Sequence, residues 1–251
     1  MNNSEKKQYP IHPLVIIPTF NERANITQLI PAVLSEDKRL HVLIVDDSSP
    51  DNTAEAVLEI KERSYPDRVH LHSRPGKQGL GSAYVFGFRW GLERGYDFMI
   101  QMDADWSHNP ADVKKMLEAA PHYDFVIASR YIKGGGTRNW GLGRKSLSKF
   151  ASVYSRAILG SDFADFTGGF NGWSAELLRA IGVDSLRSDG YSFQVELKYL
   201  ADKLGYTHLE VPITFTERRA GKSKMSIAIA VEACWRVWKF RWDWQKSARK
   251  R

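Results

Sequence analysis

Asp103 and Asp105 stand one residue apart in Asp103-Ala104-Asp105-Trp106-Ser107-His108, directly after the apolar run Phe98–Met102. Two carboxylates that close repel each other unless a cation or strong donors compensate. Oxygen ligands of this kind suit Mg²⁺ or Mn²⁺, and Mg²⁺ is typically held by one or two carboxylates with substrate phosphates beside them. A lone Asp-x-Asp also fits a solvated turn before a helix. His108 reads as a polar anchor of this loop rather than as a ligand, because oxygen donors suit such a metal better. Two more acidic clusters follow other apolar runs, Pro18-Thr19-Phe20-Asn21-Glu22 and Asp46-Asp47-Ser48-Ser49-Pro50-Asp51-Asn52-Thr53. Asp51 reads as a helix cap ahead of Thr53. Three acidic clusters at the ends of apolar runs are more than loop polarity requires.

The elements that must position these clusters alternate. Leu14–Ile17, His41–Val45, Val69–His72, Phe98–Met102 and Phe125–Ala128 read as buried strands. Between them Asn25–Leu34, Thr53–Arg63, Ser82–Arg94 and Pro110–Ala119 have helical spacing, the last opening on Asn109 as cap and Pro110 at the first helical position. A βαβα alternation implies an α/β fold with a mostly parallel central sheet and covering helices. In such sheets ligands sit beyond the carboxyl ends of the strands, where the acidic clusters fall. Gly79-Leu80-Gly81 reads as a turn before a helix, and Gly134-Gly135-Gly136 as a loop inside the domain. Trp140 and Trp173 read as packing residues. Gln194 and Glu196 fit two roles equally: orienting groups near a ligand, or the exposed side of a Phe193–Leu204 helix.

Composition narrows the class. The chain has 251 residues, 43% hydrophobic and 26% charged, which excludes disordered, collagen-like and coiled-coil chains. A single cysteine, Cys234, excludes an internal disulfide and Cys-rich zinc sites, and suits a reducing compartment. The opening Met-Asn-Asn-Ser-Glu-Lys-Lys does not resemble a secretory signal. The longest uncharged stretch, Gln8–Asn21, contains Pro10, Pro13 and Pro18 and falls short of the about 20 apolar residues of a membrane span. The net charge of +7 is uneven, since Arg218–Arg251 holds eleven Lys/Arg and only Glu232 and Asp243 as acids. A basic end on a nearly neutral body suits an anionic partner.

The ordered motifs carry a resemblance. Pro18–Glu22, the Asp46–Thr53 turn, Asp103–Pro110 and Ser129-Arg130-Tyr131 resemble the family-2 glycosyltransferases of GT-A fold. Gly79-Leu80-Gly81, Asn139–Leu142, Asp165–Phe170, Gly190–Glu196 and Arg218–Lys224 resemble, within them, the dolichol- or polyprenol-phosphate mannosyltransferases. The resemblance covers about residues 12–225. It implies that Pro18, Phe20, Glu22, Val45 and Asp47 hold the base and ribose of GDP-mannose. Asp103 and Asp105 match the metal site for Mg²⁺ or Mn²⁺, with Ala104 a nucleotide contact between them. Arg130, Arg218 and Lys224 match basic groups for phosphates or donor, and Arg144 a contact to the acceptor phosphate, so Asp105, Arg130 and Arg144 are the residues expected to serve catalysis. Phe20 replaces a commoner tyrosine, and Asn52 a usual glycine, which bears on the backbone of that turn.

The chemistry is coherent with these residues. A sugar leaves a nucleoside diphosphate when a cation and a basic clamp neutralise the diphosphate. An acceptor phosphate is already anionic and needs no general base, which suits a chain without a Ser-His-Asp or Cys-His set. One displacement would invert the anomeric centre and give polyprenyl phosphate β-mannose.

The division expected is a GT-A catalytic domain over 1–224 and a basic, Trp-rich helix and tail over 225–251. On that helix Val231, Trp235, Trp238 and Trp242 form one stripe, and Ala233, Val237, Phe240 and Trp244 a second roughly opposite. One stripe packs on the body and the other is free for lipid, with Lys/Arg at the interface; a core helix with an exposed basic end is the alternative. These readings imply a cytoplasmic protein, peripheral at the membrane, with GDP-mannose and a polyprenyl or dolichyl phosphate as substrates and no nucleic acid. A separate membrane subunit is another route to the lipid. The rivals are a UDP-sugar donor such as UDP-glucose, and a non-catalytic basic protein bound to a membrane surface or nucleic acid.

Overall fold

The computed structural model describes residues 10, 12–186, 188, 190–217 and 227–248, with side chains described in these except at 191, 227–234 and 247–248. Nine strands occur among them: β1 Pro13–Thr19, β2 His41–Asp46, β3 Val69–Ser73, β4 Phe98–Gln101, β5 Phe125–Ser129, β6 Gly136–Arg138, β7 Asn171–Ser174, β8 His208–Pro212 and β9 Thr214–Thr216. The helices are α1 Arg23–Glu36, α2 Thr53–Ser64, α3 Leu80–Glu93, α4 Asp112–Ala119, α5 Leu142–Leu159, α6 Ala175–Ile181, α7 Gly190–Lys203 and α8 Ile227–Ala248.

Seven strands form one sheet in the order β3-β2-β1-β4-β7-β5-β8. All pairs are parallel except those of β7, which runs antiparallel between β4 and β5. β6 and β9 form a separate parallel pair. Side chains alternate across a strand, and both faces here are covered. Leu14, Ile16, Leu43 and Met99 join a core with Tyr84 and Phe88 of α3 and Phe193 and Leu197 of α7. Val15, Ile17, Ile44 and Ile100 join the opposite core with Ile26 and Leu29 of α1, Val57 of α2 and Met116 of α4. This sandwich is the GT-A-like α/β architecture expected.

Several boundaries shift for local reasons. α4 starts at Asp112 rather than Pro110, because Asn109 Oδ1 accepts from Ala111 N at 3.2 Å and closes a turn ahead of the helix. Leu80 and Gly81 are the first residues of α3, so Gly79-Leu80-Gly81 is the entry to the helix. Gly136 belongs to β6, and only Gly134-Gly135 stays in the loop. A side chain at Gly135 would meet Ser129 O at 2.6 Å, so this loop folds back tightly on the end of β5.

α8 packs on α5 and α7. Val237 is buried in the core, with Phe240 and Trp244 packed against it, while Trp235, Trp238 and Trp242 are exposed. The two stripes thus divide as expected for the residues described; Val231 and Ala233 are among the side chains not described.

Candidate active site

The strand order reverses between β1 and β4, because β1 is followed by a helix leading to β2 on one side while β4 lies on the other. Ligands of open α/β sheets bind at such a switch, beyond the carboxyl ends. Pro18, Phe20 and Glu22 end β1 or follow it, and Asp103, Ala104 and Asp105 follow β4, so both groups border this crevice. The non-glycine residues with left-handed backbone, Asn21, Ser48, Asn52, Trp106 and Asn139, lie in the loops after β1, β2, β4 and β6. Such conformations persist only where surrounding structure over-determines them, and they gather at functional sites. Asn52 adopts φ 63° and ψ 36°, so the turn keeps the left-handed form a glycine would take; asparagine tolerates it.

After β2 the adjacent aspartates have different tasks. Asp46 is buried and accepts from Thr19 Oγ1 at 2.7 Å and Ser49 N at 2.9 Å, which ties the loops after β1 and β2 together. Asp47 accepts from Arg74 Nε at 2.6 Å. Arg74, which sequence reasoning missed, also donates to Ser82 Oγ at 2.8 Å and Gly79 O at 3.1 Å, linking Asp47 to the start of α3. Asp51 accepts from Thr53 N at 3.1 Å, the capping role expected, and from Arg23 N at 3.1 Å at the start of α1. Val45 is buried in the strand, and Lys77 Nζ stands 3.5 Å above the Phe20 ring. Glu22 N donates to Thr53 Oγ1 at 3.1 Å, and Glu22 Oε2 accepts from Asn25 Nδ2 at 2.7 Å.

The loop after β4 is fixed from behind. His108 is buried, stacked on Phe170 with centroids 4.7 Å apart, and its Nδ1 accepts from Asp103 N at 3.2 Å. Burial pushes His108 down to about 4, against the opposing charge of Asp105. It is therefore a neutral loop anchor, with Nδ1 turned to the protein. Asp105 Oδ1 accepts from Ser107 N at 3.1 Å. Burial raises the Tyr84 phenol well above its ordinary value, and the charges of Asp103 and Asp105 raise it further, so both carboxylates act on one point of α3. Among the described residues no group of three or more His, Cys, Asp or Glu converges to hold a metal. Two carboxylates without further protein ligands fit Mg²⁺ or Mn²⁺, which complete their shells with phosphate and water.

Arg130, after β5, does not stand alone. Its Nε and Nη2 donate to the two oxygens of buried Asp165 at 2.7 Å each, its main-chain N to Asp165 at 3.0 Å, and Nη2 to Thr167 Oγ1 at 2.9 Å. The Arg130 guanidinium and the Lys198 ammonium hold Asp165 down at about 2 against the opposing effect of burial. Arg144, in the first turn of α5, donates to Glu217 Oε1 at 2.9 Å and lies 4.2 Å from the Trp140 ring, which Arg130 approaches at 5.5 Å. The two arginines thus share Trp140. Trp140 Nε1, Arg144 Nε and Ser107 Oγ are buried without a protein hydrogen-bond partner. Arg218 and Lys224 lie outside the described residues.

Gln194 is buried rather than on the exposed side of α7, and its Oε1 accepts from Asn171 Nδ2 at 3.0 Å. Glu196 accepts from Ser188 N at 3.0 Å. Trp173 is fully buried and donates to Gln101 Oε1 at 2.9 Å, a packing residue as read. Asp165 and Lys198 were missed as site residues. The available signal was Lys198 in register with Gln194, Leu197 and Ala201 on the buried stripe of α7.

Comparison with known proteins agrees with this geometry. Residues 14–182 match the family model described as glycosyl transferase family 2. The polyprenol monophosphomannose synthase of Mycolicibacterium smegmatis is 45% identical over 225 residues, 89% of this chain and 84% of that protein. The undecaprenyl-phosphate mannosyltransferase of Micrococcus luteus is 44% identical over 220 residues, 88% of this chain and 90% of that protein. Glucosyl-3-phosphoglycerate synthase from Mycobacterium tuberculosis, solved with Mg²⁺ and UDP, superposes with a TM-score of 0.65 over 91% of this chain and 79% of that one; at 17% identity the likeness shows the fold alone. A family match through most of the sheet, with relatives this similar along nearly the whole length, shows that the chain belongs to glycosyl transferase family 2, among sequences similar to its polyprenyl-phosphate mannosyltransferases.

Proposed function

We propose that this glycosyltransferase moves mannose from GDP-mannose to a polyprenyl or dolichyl phosphate, with inversion, at the cytoplasmic face of a membrane. The observation that carries the reading is the similarity, over 88–89% of the chain, to two relatives named for polyprenol monophosphomannose synthesis and undecaprenyl-phosphate mannosyl transfer. Pro18, Phe20, Glu22, Val45, Asp47 and Ala104 would hold the nucleoside, and Asp103 and Asp105 the divalent cation. That cation, when bound, neutralises the diphosphate leaving group. Arg130 and Arg144, both against Trp140, are held in fixed orientation by their carboxylate partners, Asp165 and Glu217. With those charges partly compensated, their proposed part is to orient the acceptor phosphate through guanidinium hydrogen bonds. Arg218 and Lys224 are assigned to the same clamp.

The surface of α5 supports a lipid acceptor. Its inward face carries Ser148, Ser152 and Ser155 with Leu159, all buried, and its outward face mixes the exposed Lys145, Lys149 and Arg156 with apolar residues, Leu142 at 83% and Phe150 at 59% exposure beside Leu147 and Val153. Trp238 of α8 donates to Tyr154 Oη of α5 at 2.8 Å, so the exposed Trp235, Trp238 and Trp242 extend this surface. No described helix is long and apolar enough to cross a membrane. An apolar face rimmed by Lys/Arg suits an interfacial position. Arg144 at the start of α5 would receive the phosphate while the lipid tail stays in the bilayer.

The test is a donor screen with radiolabelled GDP-mannose and UDP-glucose, Mg²⁺ or Mn²⁺ and a phosphorylated polyprenol, with extraction into organic solvent. Label from GDP-mannose in a β-linked product is expected. Label from UDP-glucose instead would replace the donor assignment, and no extractable label from any nucleotide sugar would reject the reading.

A further inference from the structure

Lys198 is fully buried, and among the described residues its ammonium hydrogen-bonds to the main chain of one turn. Nζ donates to Asp165 O at 2.8 Å, Gly168 O at 3.0 Å and Phe166 O at 3.3 Å. An ammonium has three donors and no acceptor, so three carbonyls use its full capacity. The turn it holds is the one that holds Arg130, through the Asp165 carboxylate and the Thr167 hydroxyl. Gly168 N donates to Asp165 Oδ1 at 2.9 Å, so the aspartate cannot turn without moving the carbonyls that Lys198 grips. From β8, Glu210 accepts from Ala164 N at 2.8 Å and Asp165 N at 3.1 Å, fixing the other end of the segment.

We propose that Lys198 is a positioning residue for sugar transfer: by clamping the 165–168 turn, its ammonium fixes the plane in which Arg130 meets the anionic substrates. This rests on the function proposed above. The charge itself is needed. Loss of one proton removes one of the three donors and turns a lone pair toward a carbonyl, which loosens the turn and with it Arg130.

The groups facing Lys198 are Asp165 and Glu210, which hold its proton, and Arg130, which opposes it; burial outweighs them and pushes the ammonium down to about 8. Turnover should therefore fall as pH rises through about 8. The stability term has the opposite sign. A lysine whose folded pKa lies below its unfolded value binds more protons unfolded, so this group favours the fold increasingly as pH rises between those values. Falling turnover without falling stability separates positioning from a merely structural role.

The experiment measures kcat, KM for GDP-mannose and melting temperature with Mg²⁺ and a phosphorylated polyprenol, from about pH 6.5 to about 9.5, for the wild type, Lys198→Met and Thr167→Val. The wild type is expected to lose kcat with a midpoint near 8 at steady donor KM and with no fall in melting temperature over that step. Lys198→Met should have kcat on the order of 10- to 100-fold lower at neutral pH and lack this decline. Thr167→Val, which removes one Arg130 contact and leaves the ammonium, should lower kcat about tenfold and keep the wild-type midpoint. A flat wild-type profile, a wild-type rate in Thr167→Val, or a Lys198→Met variant with the wild-type rate or decline overturns the proposal. Should Lys198→Met fail to fold, the wild-type profile and Thr167→Val decide alone. A wild type that transfers no sugar to any phosphorylated polyprenol defeats the functional reading itself, and the positioning role with it.

Discussion

Asp103 and Asp105 stand out in the sequence because two acids directly after a buried strand have few structural uses, and the structure places both in the loop after β4. Asp105→Ala should lower transfer more than about 100-fold, beyond the loss from an outer partner of a metal ligand, without lowering the melting temperature, since removing one carboxylate relieves repulsion in the metal-free protein. Near-normal turnover at saturating Mg²⁺ or Mn²⁺ would reject the metal assignment. Arg130 is legible as a charge but its partner is not, because Asp165 lies 35 residues away and spacing carries no sign of the pairing. Removing one member of a buried pair leaves the other uncompensated, so Asp165→Asn should destabilise by about 3–5 kcal/mol in denaturant unfolding at neutral pH. The pH dependence has a definite sign. Asp165 is held down at about 2 from a usual 3.8, so its stabilisation is complete above the usual value and is lost as pH falls toward the lower one. Acid unfolding of the wild type should show that component, and Asp165→Asn should lack it.

β1, β2, β4 and β5 can be read from contiguous apolar runs, since a strand covered on both faces needs apolar side chains on both. β3 lies where expected, but it is an edge strand, Val-His-Leu-His-Ser, with only Val69 buried, so the expectation of a buried strand over Val69–His72 is corrected to a half-covered one. β6, β7, β8 and β9 cannot, because Gly-Thr-Arg, Asn-Gly-Trp-Ser, His-Leu-Glu-Val-Pro and Thr-Phe-Thr contain no contiguous apolar run. β7 is nonetheless tightly seated: a side chain at Gly172 would lie 2.5 Å from two ring atoms of Phe98 on the neighbouring β4. Gly172→Ala should therefore destabilise by about 1–3 kcal/mol through overpacking, measurable by denaturant unfolding, and a neutral variant would mean that β4 and β7 are less closely paired. α5 escaped sequence reading for a physical reason, because Ser148, Ser152 and Ser155 are buried on its inward stripe while Leu142, Leu147, Phe150 and Val153 point outward. Periodicity assumes that the apolar stripe faces the core. At the turn after β2, Asn52 holds a left-handed backbone. Asn52→Ala should cost about 1–2 kcal/mol while Asn52→Gly changes stability less, and equal effects of both would remove the left-handed requirement.

At the scale of the whole molecule the proposed acceptor site and the exposed apolar residues meet at the start of α5, where Arg144 lies against Trp140 and Leu142 is exposed. This arrangement determines how membrane binding should be tested. α8 contributes Val237, Phe240 and Trp244 to the core, so removing the helix would uncover the body as well as the tryptophans. Point substitutions separate the two. Binding of the intact chain to anionic liposomes should contain an electrostatic part of about 1 kcal/mol for each Lys/Arg near the surface, and an apolar part from the exposed aromatics. Salt screens only the first, so high salt should weaken co-sedimentation without abolishing it. Trp242→Ala, at a position 62% exposed, and Phe150→Ala should lower the salt-resistant part and leave the melting temperature unchanged. Trp244→Ala should do the reverse, lowering stability by roughly 1–3 kcal/mol with little effect on binding, because its ring packs inward. If Trp244→Ala weakens binding while Trp242→Ala and Phe150→Ala do not, α8 meets the membrane with the opposite face. Failure of the intact chain to sediment even at low salt would leave delivery of the lipid substrate to a separate membrane subunit.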